Sequence, residues 1–175
     1  MLLRVEERHE EALAAALEAL EQGGAIGPGN ALSKAGWVEA AEQSFILGHL
    51  SKIDELLIMA DELRPVTVTR FVRAHSSRFR ARLAAARGQQ DRVEPDFKTA
   101  VGMFRELGNP FWLAVTLLEH GEWLLEHENP KDAQPLLEEA TTIFETLRAA
   151  PWLERLDRAR GLQSAGRIEQ LGSAS

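Results

Sequence analysis

An all-α protein, built as a stack of antiparallel helix pairs that repeats about every forty residues, is what this sequence predicts, and three observations carry it. The first is composition. Leu and Ala dominate, Tyr and Cys are absent, and Gly and Pro fall mainly between long periodic runs, which suits helices and not sheets. The second is periodicity: apolar residues recur at spacings of three, one and three, along one helical face, where strands would alternate by two. The third is self-similarity. The run Ile53, Leu56, Leu57, Ala60, Leu63 recurs eighty residues later as Ala133, Leu136, Leu137, Ala140, Ile143, and at the offset of forty as Val93, Phe97, Ala100, Met103, interrupted at Asp96.

The elements follow in order. Helices are expected over 3–22, 30–47, 51–63, 66–87, 90–107, 110–127, 130–148 and 151–160. In the first, Leu13, Ala16, Leu17 and Leu20 keep the phase of the later runs, so 3–22 reads as the second member of a pair whose first is missing. Its apolar stripe would need a polar cap, a second copy of the chain in a homodimer, or more chain upstream. Small residues at Ala41, Ala81 and Gly121 let neighbouring backbones approach, and Gly48 and Gly88 close their helices in the left-handed conformation. Pro65, Pro110 and Pro130 suit helix starts, Ser51 and Asn109 suit caps, and Pro95 and Pro135 argue for later starts of their helices. The repeats are 30–64, 66–109 and 110–149, with the orphan helix 3–22 and a capping helix 151–160; residues 1–160 form a single helical-repeat domain and 161–175 a flexible tail. Such pairs predict a right-handed superhelical, tetratricopeptide-like α-solenoid.

A chain of 175 residues, 45% hydrophobic and 27% charged, has the balance of a soluble globular protein. Without Cys there is no disulfide framework, thiolate nucleophile or Cys-based metal site, which fits a reducing cytoplasm. Residues 1–22 alternate charge with Leu and Ala and resemble neither a signal peptide nor a membrane anchor. The net charge of −7 disfavours nucleic acid and anionic lipid.

Residues 71–87, FVRAHSSRFRARLAAAR, then 104–125, FRELGNPFWLAVTLLEHGEWLL, and 148–157, RAAPWLERLD, resemble the C-terminal helical-repeat region of a group of large bacterial signalling proteins. Those proteins join a class III nucleotide cyclase or a DNA-binding output domain to an AAA-like signalling ATPase followed by tetratricopeptide-like repeats. The resemblance covers most of the chain beyond residue 45. It implies a regulatory array whose cyclase and ATPase chemistry lies in other domains. The period of forty exceeds the thirty-four of the tetratricopeptide motif, and no copy carries its full Trp, Leu-Gly, Tyr signature, so fold transfers better than any binding groove.

No catalytic, cofactor or metal site is expected. Gly24 and Gly29 have phosphate-loop separation, but Asn30 and Ala31 stand where Lys and Ser or Thr are needed, so 23–34 reads as an interhelical connection. His120 and His127 are seven apart, not four, and Glu119, His120, Glu122, Glu126 and His127 read as a solvated helix face. The unusual feature is charge: the segment 64–87 holds seven Arg and neither Asp nor Glu. On a helix, Val68, Val72, Phe79, Leu83 and Ala86 form its buried seam, Arg73, Arg80 and Arg87 share one flank, and Arg78 and Arg82 the other. Guanidiniums there answer acids on neighbouring helices or recognise an acidic partner segment or phosphate. A nucleic-acid partner is the weaker alternative, because the other faces are acidic and aromatic residues for base stacking are few. Trp112 and Trp123 share a side of the following first helix. The expected function is therefore a protein-interaction or regulatory module whose partner is a polypeptide or the other domains of a larger signalling protein. Its expected contacts are Arg73, Arg80, Arg87, Trp112, Glu119 and Trp123.

Overall fold

A computed structural model describes residues 2–26, 31–62 and 69–172, and its regular elements are all helical. They are α1 (Leu2–Ile26), α2 (Ala31–Ile46), α3 (Leu50–Glu62), α4 (Arg70–Ala86), α5 (Gln90–Glu106), α6 (Pro110–Glu126), α7 (Pro130–Thr146) and α8 (Ala150–Gly172). From α3 onward the helices begin at positions 50, 70, 90, 110, 130 and 150, a spacing of twenty residues, half of the forty that the sequence predicts.

One hydrogen-bonding pattern sets that spacing. At the end of α2 the Gly48 N–H donates to the Phe45 carbonyl at 3.2 Å and the His49 N–H to the Ser44 carbonyl at 2.8 Å. This Schellman arrangement satisfies carbonyls that the helix end leaves unpaired. The same two bonds close α4 at Gly88 and Gln89, α5 at Gly108 and Asn109, α6 at Glu128 and Asn129, and α7 at Arg148 and Ala149. Every corner residue is left-handed, with φ between 53° and 72°. Two of the five, Glu128 and Arg148, are not glycine.

Helix starts differ in detail from the sequence reading. Asn109 caps α6, its Oδ1 accepting from the Trp112 N–H at 3.2 Å, and Pro110 and Pro130 occupy first turns. Thr69 caps α4 in the same way, with Val72 N at 3.3 Å. Ser51 is not a cap, because α3 already starts at Leu50. Pro95 and Pro135 do not delay α5 and α7, which start at Gln90 and Pro130; both prolines are exposed, so the carbonyl each one frees can turn to water. Pro65 and Val68 lie outside the described residues.

The chain packs as two compact units that divide between Met103 and Phe104, inside α5, where the sequence predicts a single repeat domain. In the first unit α1 lies antiparallel on α2. A Cβ on Gly36 would stand 2.7 Å from the Leu20 nitrogen and 2.8 Å from the Ala16 carbonyl oxygen, so only glycine allows the two backbones this close. Leu13 and Ala16 are buried and Leu17 and Leu20 half-buried, so the stripe expected to stand open is largely covered. Helix α1 also runs through Gly23 and Gly24 to Ile26, taking in part of the expected connection. Trp37 ties α2 to α3 by donating from Nε1 to the Leu56 carbonyl at 2.8 Å. Ile53, Leu56, Leu57 and Ala60 are buried as the repeat predicts, as are Val93, Phe97 and Ala100 on α5. On α4, Val72, Phe79 and Leu83 are buried but Ala86 is exposed, because the helix reaches its closing corner there.

In the second unit α6 is buried continuously from Leu113 to Gly121. A Cβ on Gly121 would fall 2.6 Å from Leu137 Cδ2, which is why the small residue recurs here: α6 and α7 meet at this point. On α7, Ala133, Leu137, Ala140 and Phe144 are buried, while Leu136 and Ile143 are half-buried. Fully burying side chains such as Leu117, Leu118 and Phe144 contributes about 1.5–3 kcal/mol each. Helix α8 buries Leu156 and continues to Gly172, so the expected capping helix 151–160 extends through most of the expected tail.

Candidate functional site

The Arg-rich helix α4 presents two flanks that differ in kind. On the first, Arg87 grips Asp54 of α3 with both guanidinium nitrogens, Nη1 to Oδ1 at 3.0 Å and Nη2 to Oδ2 at 2.5 Å. One two-turn step back, Arg80 Nη2 donates to Asp61 Oδ1 at 2.5 Å. The antiparallel register explains the ladder, since both the arginines and the aspartates are seven residues apart. The hydrogen bond from Arg87 is the main reason the Asp54 carboxyl is held below the usual carboxylate value. These groups are at least partly exposed, so solvent screens both pairs and neither contributes much to stability. Arg73 continues the stripe and is exposed; the α3–α4 connection beyond Glu62 lies outside the described residues.

The opposite flank lies deeper, with Arg78 buried and Arg82 half-buried. Arg78 is 1% exposed and donates from Nη1 to Glu42 Oε1 at 2.6 Å, while Arg82 Nη1 reaches Glu42 Oε2 at 2.7 Å. The Arg82 guanidinium also lies 3.9 Å from the centre of the Phe45 ring, a cation–π contact. His75 completes this layer, fully buried, its ring 4.6 Å from Phe71 and 5.6 Å from Phe79. Burial, reinforced by the charges of Arg78 and Arg82, pushes its pKa from 6.5 down to about 2. Arg78 Nη1 stands 3.5 Å from His75 Nδ1.

Among the described residues, Arg78, Arg80, Arg82 and Arg87 therefore meet carboxylates of α2 or α3. The sequence offered a signal for the buried set that the reading did not use: Glu42 and Arg82 are forty apart, at the same register of successive repeats.

The remaining expected contacts belong to the second unit. Trp112 is half-buried with its ring edge-on to Phe111 at 5.1 Å. Trp123 is also half-buried, with His127 at 4.5 Å and His120 at 6.4 Å between ring centres, and the His127 Nδ1 bonds to the Trp123 carbonyl at 2.8 Å. Glu119 is 5% exposed and His120 3%, so this stretch of α6 is not the solvated face its composition suggested. Glu122 is held by Arg155 of α8 through two bonds, at 2.9 and 2.5 Å. Among the described residues, no group of three or more His, Asp or Glu side chains is arranged to hold a metal ion, and no helix is long and apolar enough to cross a membrane.

Of the six expected contact residues, Arg73, Arg80 and Arg87 thus share one stripe of α4. Trp112 and Trp123 keep partial exposure on α6, and Glu119 is buried there. No family model matches the chain, and no curated protein compared with it does either.

Proposed function

We infer that the chain is a non-catalytic protein-interaction and regulatory module, serving as the C-terminal scaffold of a signalling ATPase or nucleotide cyclase in the cytoplasm. The observation that carries this reading is the twenty-residue unit, a helix closed by the same two backbone bonds at five successive corners. An array of that kind repeats a surface rather than building a pocket, and repeat arrays act by presenting that surface to other polypeptides. The tetratricopeptide-like, right-handed superhelix belongs to the same proposal and rests on the sequence resemblance. Recognition would use Arg73 together with Arg80 and Arg87, whose bridges to Asp61 and Asp54 are exposed enough to exchange for a partner's carboxylates. On α6 it would use Trp112 and Trp123.

The test is the native mass of the polypeptide in its source cells, read by immunoblot with an antibody to residues 104–125, followed by identification of what coprecipitates. A band far above 19.4 kDa and joined to an ATPase or cyclase domain supports the scaffold reading. A band at that mass points to a free-standing peptide-binding adaptor, and no stable protein partner removes the module altogether. The nucleic-acid alternative, resting on 64–87, is weakened by the carboxylates that answer Arg78, Arg80, Arg82 and Arg87. A filter-binding titration decides it, because phosphate neutralisation predicts affinity that falls steeply with salt.

A further inference from the structure

We propose that the end of the second unit formed by the first turns of α6 and α8 and the last turn of α7 is a docking surface for a polypeptide segment that sets a single carboxylate beside two large apolar side chains. The proposal rests on the interaction-module reading above and names the partner's chemistry for one surface of it.

Aromatic residues mark the place. Trp112 stacks edge-on against Phe111, Phe111 meets Trp152 at 5.7 Å, and Trp152 lies flat on the buried Phe144, also at 5.7 Å. Phe111 and Trp152 are half-buried, and Leu147, one turn beyond Phe144, is 41% exposed. The antiparallel register that sets Gly121 against Leu137 brings Phe111 level with Leu147. An aromatic floor with an exposed leucine at its edge is the kind of surface that seats apolar anchors.

The charge comes from the corner. Arg148 has φ of 53° at a position where the equivalent corner one repeat earlier is Gly108 at 60°. A left-handed backbone favours glycine, so arginine stands here against the local preference. Its side chain makes no hydrogen bond or ion pair among the described residues, whereas Arg155, whose guanidinium lies 5.5 Å from the centre of the Trp152 ring, is committed to Glu122 and Arg105 to Glu139. A strained residue carrying an uncommitted, permanently charged group next to exposed apolar surface is matched by a carboxylate flanked by apolar residues. Glu145 and Glu154, both exposed on the same helices, would repel a segment with several acids, which limits the match to one.

The experiment uses the full chain and a fluorescein-labelled peptide of sequence Gly-Ser-Asp-Phe-Leu-Gly-Ser, read by anisotropy, with the Asp→Lys peptide as control. Saturable binding of the Asp peptide is expected, weakened about tenfold in Arg148→Gly and further in Arg148→Glu. Because Arg148→Gly relieves the corner, its melting temperature should rise while its affinity falls, which separates recognition from folding. Glu128→Gly, the same relief at the other non-glycine corner, should raise stability and leave binding unchanged. Equal affinity of the wild type and Arg148→Gly, or no preference for Asp over Lys, overturns the proposal. A native protein complex that survives both Arg148 variants also overturns this surface while sparing the module reading; absence of any native complex removes both.

Discussion

Lowering the pH from 7 to 5 should destabilise the first unit through one residue, His75. In the fold this ring is fully buried beside Phe71, Phe79 and the guanidiniums of Arg78 and Arg82, and its pKa lies near 2. In the unfolded chain it returns to the ordinary value near 6.5. The folded pKa of this base is depressed, so between those two values the unfolded state binds a proton that the native state does not, and stability falls as pH falls. Below the unfolded value the slope approaches 1.36 kcal/mol per pH unit, and integrating from pH 7 to pH 5 gives a loss of about 2 kcal/mol. Urea unfolding followed by circular dichroism at half-unit pH steps measures it, with His75→Asn as reference because the amide is polar and does not titrate. The wild type should lose about 2 kcal/mol more than the variant over that interval, with unchanged denaturant dependence. Parallel pH profiles would show that His75 takes up its proton inside the fold, and the reasoning from burial would be refuted.

Three further outcomes follow from packing and backbone geometry. Gly121→Ala drives a methyl to 2.6 Å from Leu137 Cδ2; overpacking should cost about 1–3 kcal/mol, and Leu137→Ala in the same chain should recover part of the clash while opening its own cavity, as thermal melts of the single and double variants will show. At the corners the signs oppose: Glu128→Gly should stabilise by about 1 kcal/mol and Gly88→Ala should destabilise by a similar amount, read as shifts in urea midpoint. Asp96 occupies the register of Leu56 and Leu136, and its Oδ2 is buried with no hydrogen-bond partner among the described residues; Asp96→Leu should stabilise by about 1 kcal/mol at pH 7. Desolvation raises the Asp96 pKa, so its ionised form is the strained one and the benefit of that substitution should shrink as pH falls through the raised value towards 3.8.

Helix content and the buried face were legible because both depend on local spacing. The run Ile53, Leu56, Leu57, Ala60 is buried as its period requires, and so is its echo at Val93, Phe97 and Ala100. The half-repeat of twenty was not legible. It is set by a backbone closure that needs two carbonyls and a left-handed residue, and the chain supplies glycine at 48, 88 and 108 but Glu128 and Arg148 at the last two corners. The length of α8 was not legible either: beyond Gly161 no apolar period announces a helix, yet α8 continues to Gly172.

Charged residues resist this kind of reading for a deeper reason. A helical wheel places Arg73, Arg80 and Arg87 on one flank of α4 and Arg78 and Arg82 on the other, and by composition the flanks are equivalent. What distinguishes them is the neighbour: α3 offers Asp54 and Asp61 at a wet edge, while α2 offers a single half-buried Glu42 to both guanidiniums of the other flank. The first kind of pair is exchangeable at little cost and can be lent to a partner. The second is not, because removing Glu42 would take a directly bonded carboxylate from a guanidinium that is buried. The same distinction applies on α6, where Glu119 is buried and Trp112 keeps part of its ring at the surface. A residue's availability to a partner is thus fixed by which helix packs beside it. Helical periodicity is silent on that, but charge reciprocity between equivalent repeat positions, as between Glu42 and Arg82, speaks to it directly.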